Sequence, residues 1–262
     1  MEHVRIHQEP PLHNPSLIAA WPGIGQVALG VVAYLREQLG AVGFAQIDPH
    51  PYFELGGVFI EENLIQPSRF PESKFYYWQS PGPGGDLVLF LGDAQPSWRA
   101  HDFARLVLDV AQKYGVGRVF TLAAALVSEL PERPRVWGAA SAPALAQELQ
   151  GYGAVLKGDF FVAGMNGLLL AVARERGLET ICLLGETPRF APQIENPAAS
   201  LAVAEVLVKV LGLEVDLGDL RELARRSRQE LEKFLMKTRQ EFLDRFTIPL
   251  WERGDKEEWA QN

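Results

Sequence analysis

The chain has 262 residues, of which 47% are hydrophobic and 22% charged, and a formal net charge of −8, the profile of one globular domain with room for an appendage. The acidic balance opposes a broad phosphate-binding surface, so nucleic acid is not expected as a partner. One cysteine rules out an intrachain disulfide framework, no run of about 18 apolar residues could span a membrane, and the start MEHVRIHQEPPLHNPS lacks the apolar core of a secretory signal, so a cytoplasmic protein is expected.

Residues 1–15 are Pro-rich and read as a mobile leader. LIAAW (17–21) reads as a strand. Gly23-Ile-Gly25-Gln-Val-Ala28 then opens a helical pattern over 23–39, with Val27, Val31, Tyr34 and Leu35 near one face. AVGFAQID is a second strand, ending at Asp48. The alternation then breaks: YFELGGVFIEENLI and KFYYWQS read as strands around Gly and Pro turns with no helix between them, an insertion or sheet edge over 52–80. DLVLFLGD resumes the pattern, and Phe103, Leu106, Val107, Val110 and Ala111 trace a helix in about 98–114. GRVFTLAAA and RVWGAAS are strands. A helix in APALAQELQGYG has Ser141 as its expected N-cap, and MNGLLLAVARERG is a helix closed by Gly177. TICLLGE is a buried strand carrying Cys182 as a core residue, and NPAASLAVAEVLVKVLG is a helix capped by Asn196 with Pro197 at its first position.

Strands alternating with crossover helices predict an α/β fold over 16–213, a three-layer α/β/α arrangement with a mostly parallel sheet covered on both faces. Composition changes after Gly212: 22 of the 49 residues from Glu214 to Asn262 are charged, against 36 of the preceding 213. Leu220, Ala224, Ser227, Leu231, Phe234, Leu235, Thr238 and Phe242 recur at intervals of three and four. Residues 214–262 are therefore expected to form a charged extension built on one long amphipathic helix, with a narrow seam to dock on its own domain or a sister subunit.

Gly23, Gly25 and Ala28 fit the G-x-G-x-x-G/A template of a dinucleotide loop, and Asp48 follows Ala28 by twenty residues, where a ribose-binding acid would stand. Against that reading, Trp21-Pro22 fills the turn entrance with a bulky side chain and a residue without an N–H. The chain after Asp48 also runs into Pro-His-Pro-Tyr rather than a second crossover helix. The glycines therefore read first as a tight strand-to-helix turn, and no cofactor is expected, although N–H groups at that helix start could still meet a small anion. SPGPGGD (80–86) reads as a surface turn, and neither a GxxxxGK[ST] loop nor a G-x-S-x-G elbow occurs. His3, His7, His13, His50 and His101 have no metal-ligand spacing, so no metal is expected. Polar residues do gather at strand ends and a helix start. Gly23, Gly25, Asp93, Asn166 and Glu186 form a candidate small-molecule crevice, with Asp93 and Glu186 as a possible carboxylate pair. The alternative is that these acids cap helices or satisfy loop backbone. No catalytic residue is assigned.

WPGIGQVA, then LGDAQP, LDVAQKYGVGRVFTLAA, PRVWGAAS, GMNGLLLAVARERGLETICLLGETP and a Pro-Ala-Ala helix follow one another in this order. As a set they resemble the archaeal and bacterial branch of the proteasome assembly chaperone family, the branch related to the second eukaryotic chaperone of that name, over roughly residues 16–220. The resemblance implies a phosphorylase/hydrolase-like α/β/α domain that forms homo-oligomers, trimers among them, and that helps or engages proteasome-type assemblies. Archaeal relatives dock through a C-terminal hydrophobic-Tyr-X tail. This chain reads Glu258-Trp259-Ala260-Gln261-Asn262 there, without the penultimate Tyr, so docking by that mode is not expected. Two readings of function follow. The first is a non-catalytic oligomeric protein acting in protein-complex assembly or partner binding. The second is a small-molecule binder or hydrolase/phosphorylase-like enzyme using the strand-end crevice.

Overall fold

A computed structural model describes residues 2–82 and 84–247, with side chains through Lys237 except that of Phe234. The runs SLIAA, LVLFLG, RVFTLAAALV and ETICLLGETP become β2 (Ser16–Ala20), β7 (Leu87–Gly92), β8 (Arg118–Val127) and β10 (Glu179–Pro188). These four pair in parallel, in the order β7-β2-β8-β10. Being covered on both faces, they read as near-continuous apolar runs rather than alternating ones. The sheet extends antiparallel at one edge through β6 (Ser73–Trp78), β3 (Val42–Ile47) and β1 (Val4–Ile6), and at the other through β9 (Val136–Ala140), to give the eight-stranded order β1-β3-β6-β7-β2-β8-β10-β9.

Alternate side chains of each strand feed two cores. Ile18 and Ala20 face α1 (Val27–Gln38) and α5 (Pro197–Leu211), while Leu17, Ala19 and Trp21 face α2 (Ala100–Lys113) and α4 (Gly164–Glu175). A short helix, α3 (Pro143–Gly151), packs beside β9. On the first face α1 and α5 approach closely: a Cβ on Gly30 would stand 2.8 Å from Ser200 Oγ. Asn196 caps α5 as expected, its side chain accepting from Ala199 N at 3.1 Å, with Pro197 at the first position. Gly177 follows the end of α4 at φ +74°, the left-handed conformation that closes a helix.

Several expectations need correction. The leader is tied down rather than loose. β1 pairs with β3, Glu9 accepts from Lys113 Nζ at 2.5 Å and from the Tyr114 hydroxyl at 2.7 Å, and His13 N donates to Asp86 at 2.7 Å. The open edge of β3 supplies backbone partners that the Pro-rich composition concealed. Ser141 does not cap α3, whose N-cap is Ala142; its hydroxyl instead accepts from Thr180 N at 3.0 Å. The helix expected over 23–39 starts only at Val27. Gly25 and Gln26 both have left-handed φ, +62° and +51°, and hold residues 24–26 in a single 3₁₀ turn. In the 52–80 region only β6 joins the main sheet. Ile60–Glu61 (β4) and Leu64–Ile65 (β5) form a separate two-stranded hairpin.

The long C-terminal helix is α6 (Gly218–Thr247). Leu217 and Leu220 join the core under α5, Ala224 is buried, and Arg228 donates to the carbonyl oxygens of Pro131 and Glu132 at 2.5 and 2.8 Å. The side chains of Phe234, Thr238 and Phe242, and the tail 258–262, lie outside the described residues. Among the described residues no helix is long and apolar enough to cross a membrane.

Candidate functional site

The opening glycines build a clasp. Gly25 N donates to Pro192 O at 2.9 Å, Asn196 N donates to Gly25 O at 2.8 Å, and Gln26 N donates to Gly23 O at 3.0 Å, while Val27 N is taken by Ile24 O. The loop after β2 is thereby stitched to the loop between β10 and α5. At this turn the N–H groups of Gly25, Gln26 and Val27 are thus committed to protein carbonyls. At Gly25 a Cβ would approach Asn196 Cβ to 3.2 Å and Thr187 Cγ2 to 3.3 Å. Asp48 serves its own loop: Oδ1 lies 2.7 Å from His50 Nδ1, and that hydrogen bond holds the carboxyl below its ordinary pKa.

The five crevice residues do not converge. Gly23 and Asn166 line one cavity, of about 390 Å³. Gly25 and Asp93 line another, of about 540 Å³, between α1, α5 and α6. Glu186 lines neither. Burial pushes its carboxyl up, but the Arg135 side chain (Nε, 2.9 Å), Arg135 N (3.1 Å) and Trp137 Nε1 (3.1 Å) outweigh that and leave it below the ordinary value. Asp93 makes two hydrogen bonds with the Glu72 backbone, its N donating to Glu72 O and its side-chain Oδ2 accepting from Glu72 N. Both acids thus satisfy neighbouring loops, and the carboxylate pair is not assembled. Among the described residues no group of three or more His, Cys, Asp and Glu side chains is placed to hold a metal ion.

The 390 Å³ cavity lies where an open α/β sheet places a ligand crevice. The connection leaving β2 runs through α1 toward β3, and the chain leaving β8 runs through β9, α3 and α4 before it returns at β10. The two crossovers depart in opposite directions from adjacent strands, which makes β2/β8 the topological switch point. Ala123 and Ala125 of β8 pack on the same side of the sheet as Trp137 and Phe160 and line the cavity with them, and Phe161 stands among the other lining residues. Gln95 fixes the approach to α4, its Nε2 donating to Pro22 O at 2.9 Å and its Oε1 accepting from Met165 N at 3.2 Å. Asn166 is only 6% exposed, and its Oδ1 receives no hydrogen bond from the protein.

The same edge of the sheet carries a second feature, missed from sequence. Large apolar side chains stand exposed on the loops past the carboxyl ends of the strands: Ile24 after β2, Trp98 after β7, Leu126 at the end of β8, Phe190 and Ile194 after β10, and Phe161 before α4. The excursion between β3 and β6 starts and ends at this edge and carries the β4–β5 hairpin. There Phe59 is 86% exposed and Ile65 75%, with Ile60 and Leu64 beside them. In sequence, GVFIEENLI reads as strand within an insertion or sheet edge. The usable signal was that Glu62-Asn63, both at positive φ, make a two-residue hairpin turn with no helix following to cover it.

Comparisons with known proteins agree with this architecture. The model of the PAC2 family matches residues 17–235. An uncharacterized protein of Methanocaldococcus jannaschii is 28% identical over 230 residues, 85% of this chain and 84% of that protein. Among solved structures, PbaB of Pyrococcus furiosus, described as an archaeal proteasome activator, is 29% identical and superposes with a TM-score of 0.77 over 89% of this chain and 99% of that one. A proteasome-assembly chaperone homologue of Mycobacterium tuberculosis, 23% identical, shares the fold with a TM-score of 0.71 over 84% of this chain and 94% of its own.

Proposed function

The chain belongs to the PAC2 family, and from that premise we propose that it is a non-catalytic, self-associating protein that acts in assembling or docking a larger protein complex. The partner class in this reading is a proteasome-type particle, as the description of the Pyrococcus furiosus relative suggests. The observation that carries the reading is the apolar rim at the carboxyl edge of the sheet, above all the β4–β5 hairpin with Phe59 and Ile65 in solvent. Contiguous exposed apolar surface on a folded chain marks a place where another protein sits. The strand-end acids, by contrast, are engaged by neighbouring loops.

Within this reading, residues 16–213 build the subunit, three subunits associate, and residues 214–262 supply an arm that starts docked on α5. The assembly works in the cytoplasm. The test uses the full chain and the purified proteasome-type cylinder of the same source. The wild type co-sediments with the cylinder, and Phe59→Ser with Ile65→Ser lowers that binding about tenfold or more, as loss of a buried apolar anchor should. No co-sedimentation of the wild type overturns the partner class, and equal binding by the variant overturns the role of the rim.

A further inference from the structure

The β4–β5 hairpin is apolar on both faces. Its pairing sets Ile60 opposite Ile65 and Glu61 opposite Leu64, and Gln66 N donates to Phe59 O at 2.8 Å to continue the ladder. Alternation then places Ile60 and Ile65 on one face and Phe59 and Leu64 on the other. A hairpin that lies on its own domain needs one apolar face, so two such faces call for a covering on each side. Val58, Phe59, Ile60, Leu64 and Ile65 are each at least half exposed. They leave roughly 600 Å² of apolar side chain in water, against about 800 Å² that each partner gives up in a standard protein interface. A two-stranded hairpin is also marginal by itself in water. The area is that of a second protein surface.

Charge narrows what can receive the hairpin. From Pro51 to Ser68 the excursion carries Glu54, Glu61 and Glu62 and no Lys or Arg. The cavity of about 540 Å³ is lined by Glu37, Asp93 and Glu195 and by no cation, so docking there would set like charges together. The cavity of about 390 Å³ has no charged side chain in its lining. Trp137 and Phe160 pack edge to face in it, their ring centroids 6.0 Å apart, and Lys157 lies over the Trp137 ring at 5.3 Å. Phe161, 88% exposed, stands at its mouth. Hairpin and cavity occupy opposite flanks of one sheet edge. The hairpin springs from β3 and β6, and the cavity opens over β2, β8 and β10, with β7 between. A knob on one flank and a hole on the other make a head-to-tail contact, which repeats around a ring rather than about a two-fold axis.

We propose that the hairpin of one copy of the chain docks on the cavity of about 390 Å³ in the next copy, Phe59 entering among Trp137, Phe160 and Phe161 with Leu64 beside it. The neighbouring subunit thereby completes the cavity. The reverse face of the hairpin, with Ile60 and Ile65, stays open to the complex that the oligomer serves. This interface rests on the self-association proposed above, and gives it two surfaces and a direction.

A mixed cross-link tests it. One preparation of the full chain carries Leu64→Cys and another Phe161→Cys, both at exposed positions, while the native Cys182 is buried and takes no part. The two are mixed while dilute, concentrated together and oxidised. A disulfide-linked pair of chains forms in the mixture and in neither variant alone. By light scattering, Phe59→Ser on the hairpin and Ala125→Leu in the cavity wall each weaken association of the full chain about tenfold or more. The hairpin variant alters only an exposed side chain, so the test survives if the cavity variant fails to fold. A wild type of single-chain mass overturns the self-association and this interface with it. A stable oligomer that gives no mixed cross-link, or whose mass Phe59→Ser leaves unchanged, overturns this interface alone. Two other results overturn it as well. Pairing of Leu64→Cys with itself makes the contact two-fold, and a chain carrying both cysteines that closes an internal disulfide at single-chain mass puts the hairpin on its own cavity.

Discussion

Replacing Gly25 by alanine separates an architectural loop from a ligand cradle. The residue sits at φ +62°, and holding an L-residue there costs about 1–2 kcal/mol. Its new Cβ would also stand 3.2 Å from Asn196 Cβ and 3.3 Å from Thr187 Cγ2. Those neighbours belong to the cap of α5 and the end of β10, so the strain spreads into rigid elements, for about a further 1–3 kcal/mol. At about 2–4 °C per kcal/mol for a chain of this size, the melting temperature should fall by roughly 4–20 °C. Gly23→Ala is the internal control. Its backbone is extended at φ −162°, and nothing lies within 4 Å of the position of a Cβ, so its stability should stay within about 0.5 kcal/mol of wild type. Thermal melts of the ligand-free chain by circular dichroism measure both. A Gly25→Ala protein that melts like the wild type, or a Gly23→Ala protein that loses as much, would refute the clasp.

Two further outcomes are expected. Glu186 is held below its ordinary pKa of 4.5, since burial raises it but the Arg135 and Trp137 donors lower it further. A depressed folded-state pKa means that the stability it contributes is complete above the unfolded value and is lost as pH falls through the folded one. Urea midpoints should therefore drop more steeply below about pH 4.5 for the wild type than for Glu186→Gln; parallel acid limbs would contradict the ion pair. Burial pushes the Cys182 thiol up to about 12, so no thiolate forms at pH 8 and a thiol reagent should label the chain only once it is unfolded. Stoichiometric labelling of the native chain would show that the β10 strand opens.

How much of this could be read from the sequence varied with the physical origin of each feature. Asn196-Pro197 and Gly177 were legible because caps depend on local chemistry: a side-chain acceptor, a fixed φ, a missing Cβ. The central strands were legible because a sheet covered on both faces demands unbroken apolar runs. Ser141 misled because a Ser before a helix is equally able to serve a neighbouring strand, and the partner Thr180 is 39 residues away. The role of Gly25 hid for the same reason, since its partners Pro192 and Asn196 come from the far end of the domain. Of the five crevice residues, Gly23 and Asn166 meet in one cavity, while Asp93 and Glu186 are drawn to Glu72 and to Arg135 and Trp137. Strand-end position fixes which edge a residue occupies, but not which way its side chain turns. The exposure of Phe59 and Ile65 depends on what the fold leaves uncovered, and hydrophobicity alone does not encode that.

The most direct test of the account is the solution mass of the full chain by light scattering at micromolar concentration, alongside Phe59→Ser with Ile65→Ser. The account predicts a wild-type mass three times that of the 29.1 kDa chain, and a rim variant that keeps its fold and moves toward the single-chain mass. A wild type that stays at 29.1 kDa even at tens of micromolar would contradict self-association of the chain through its apolar rim.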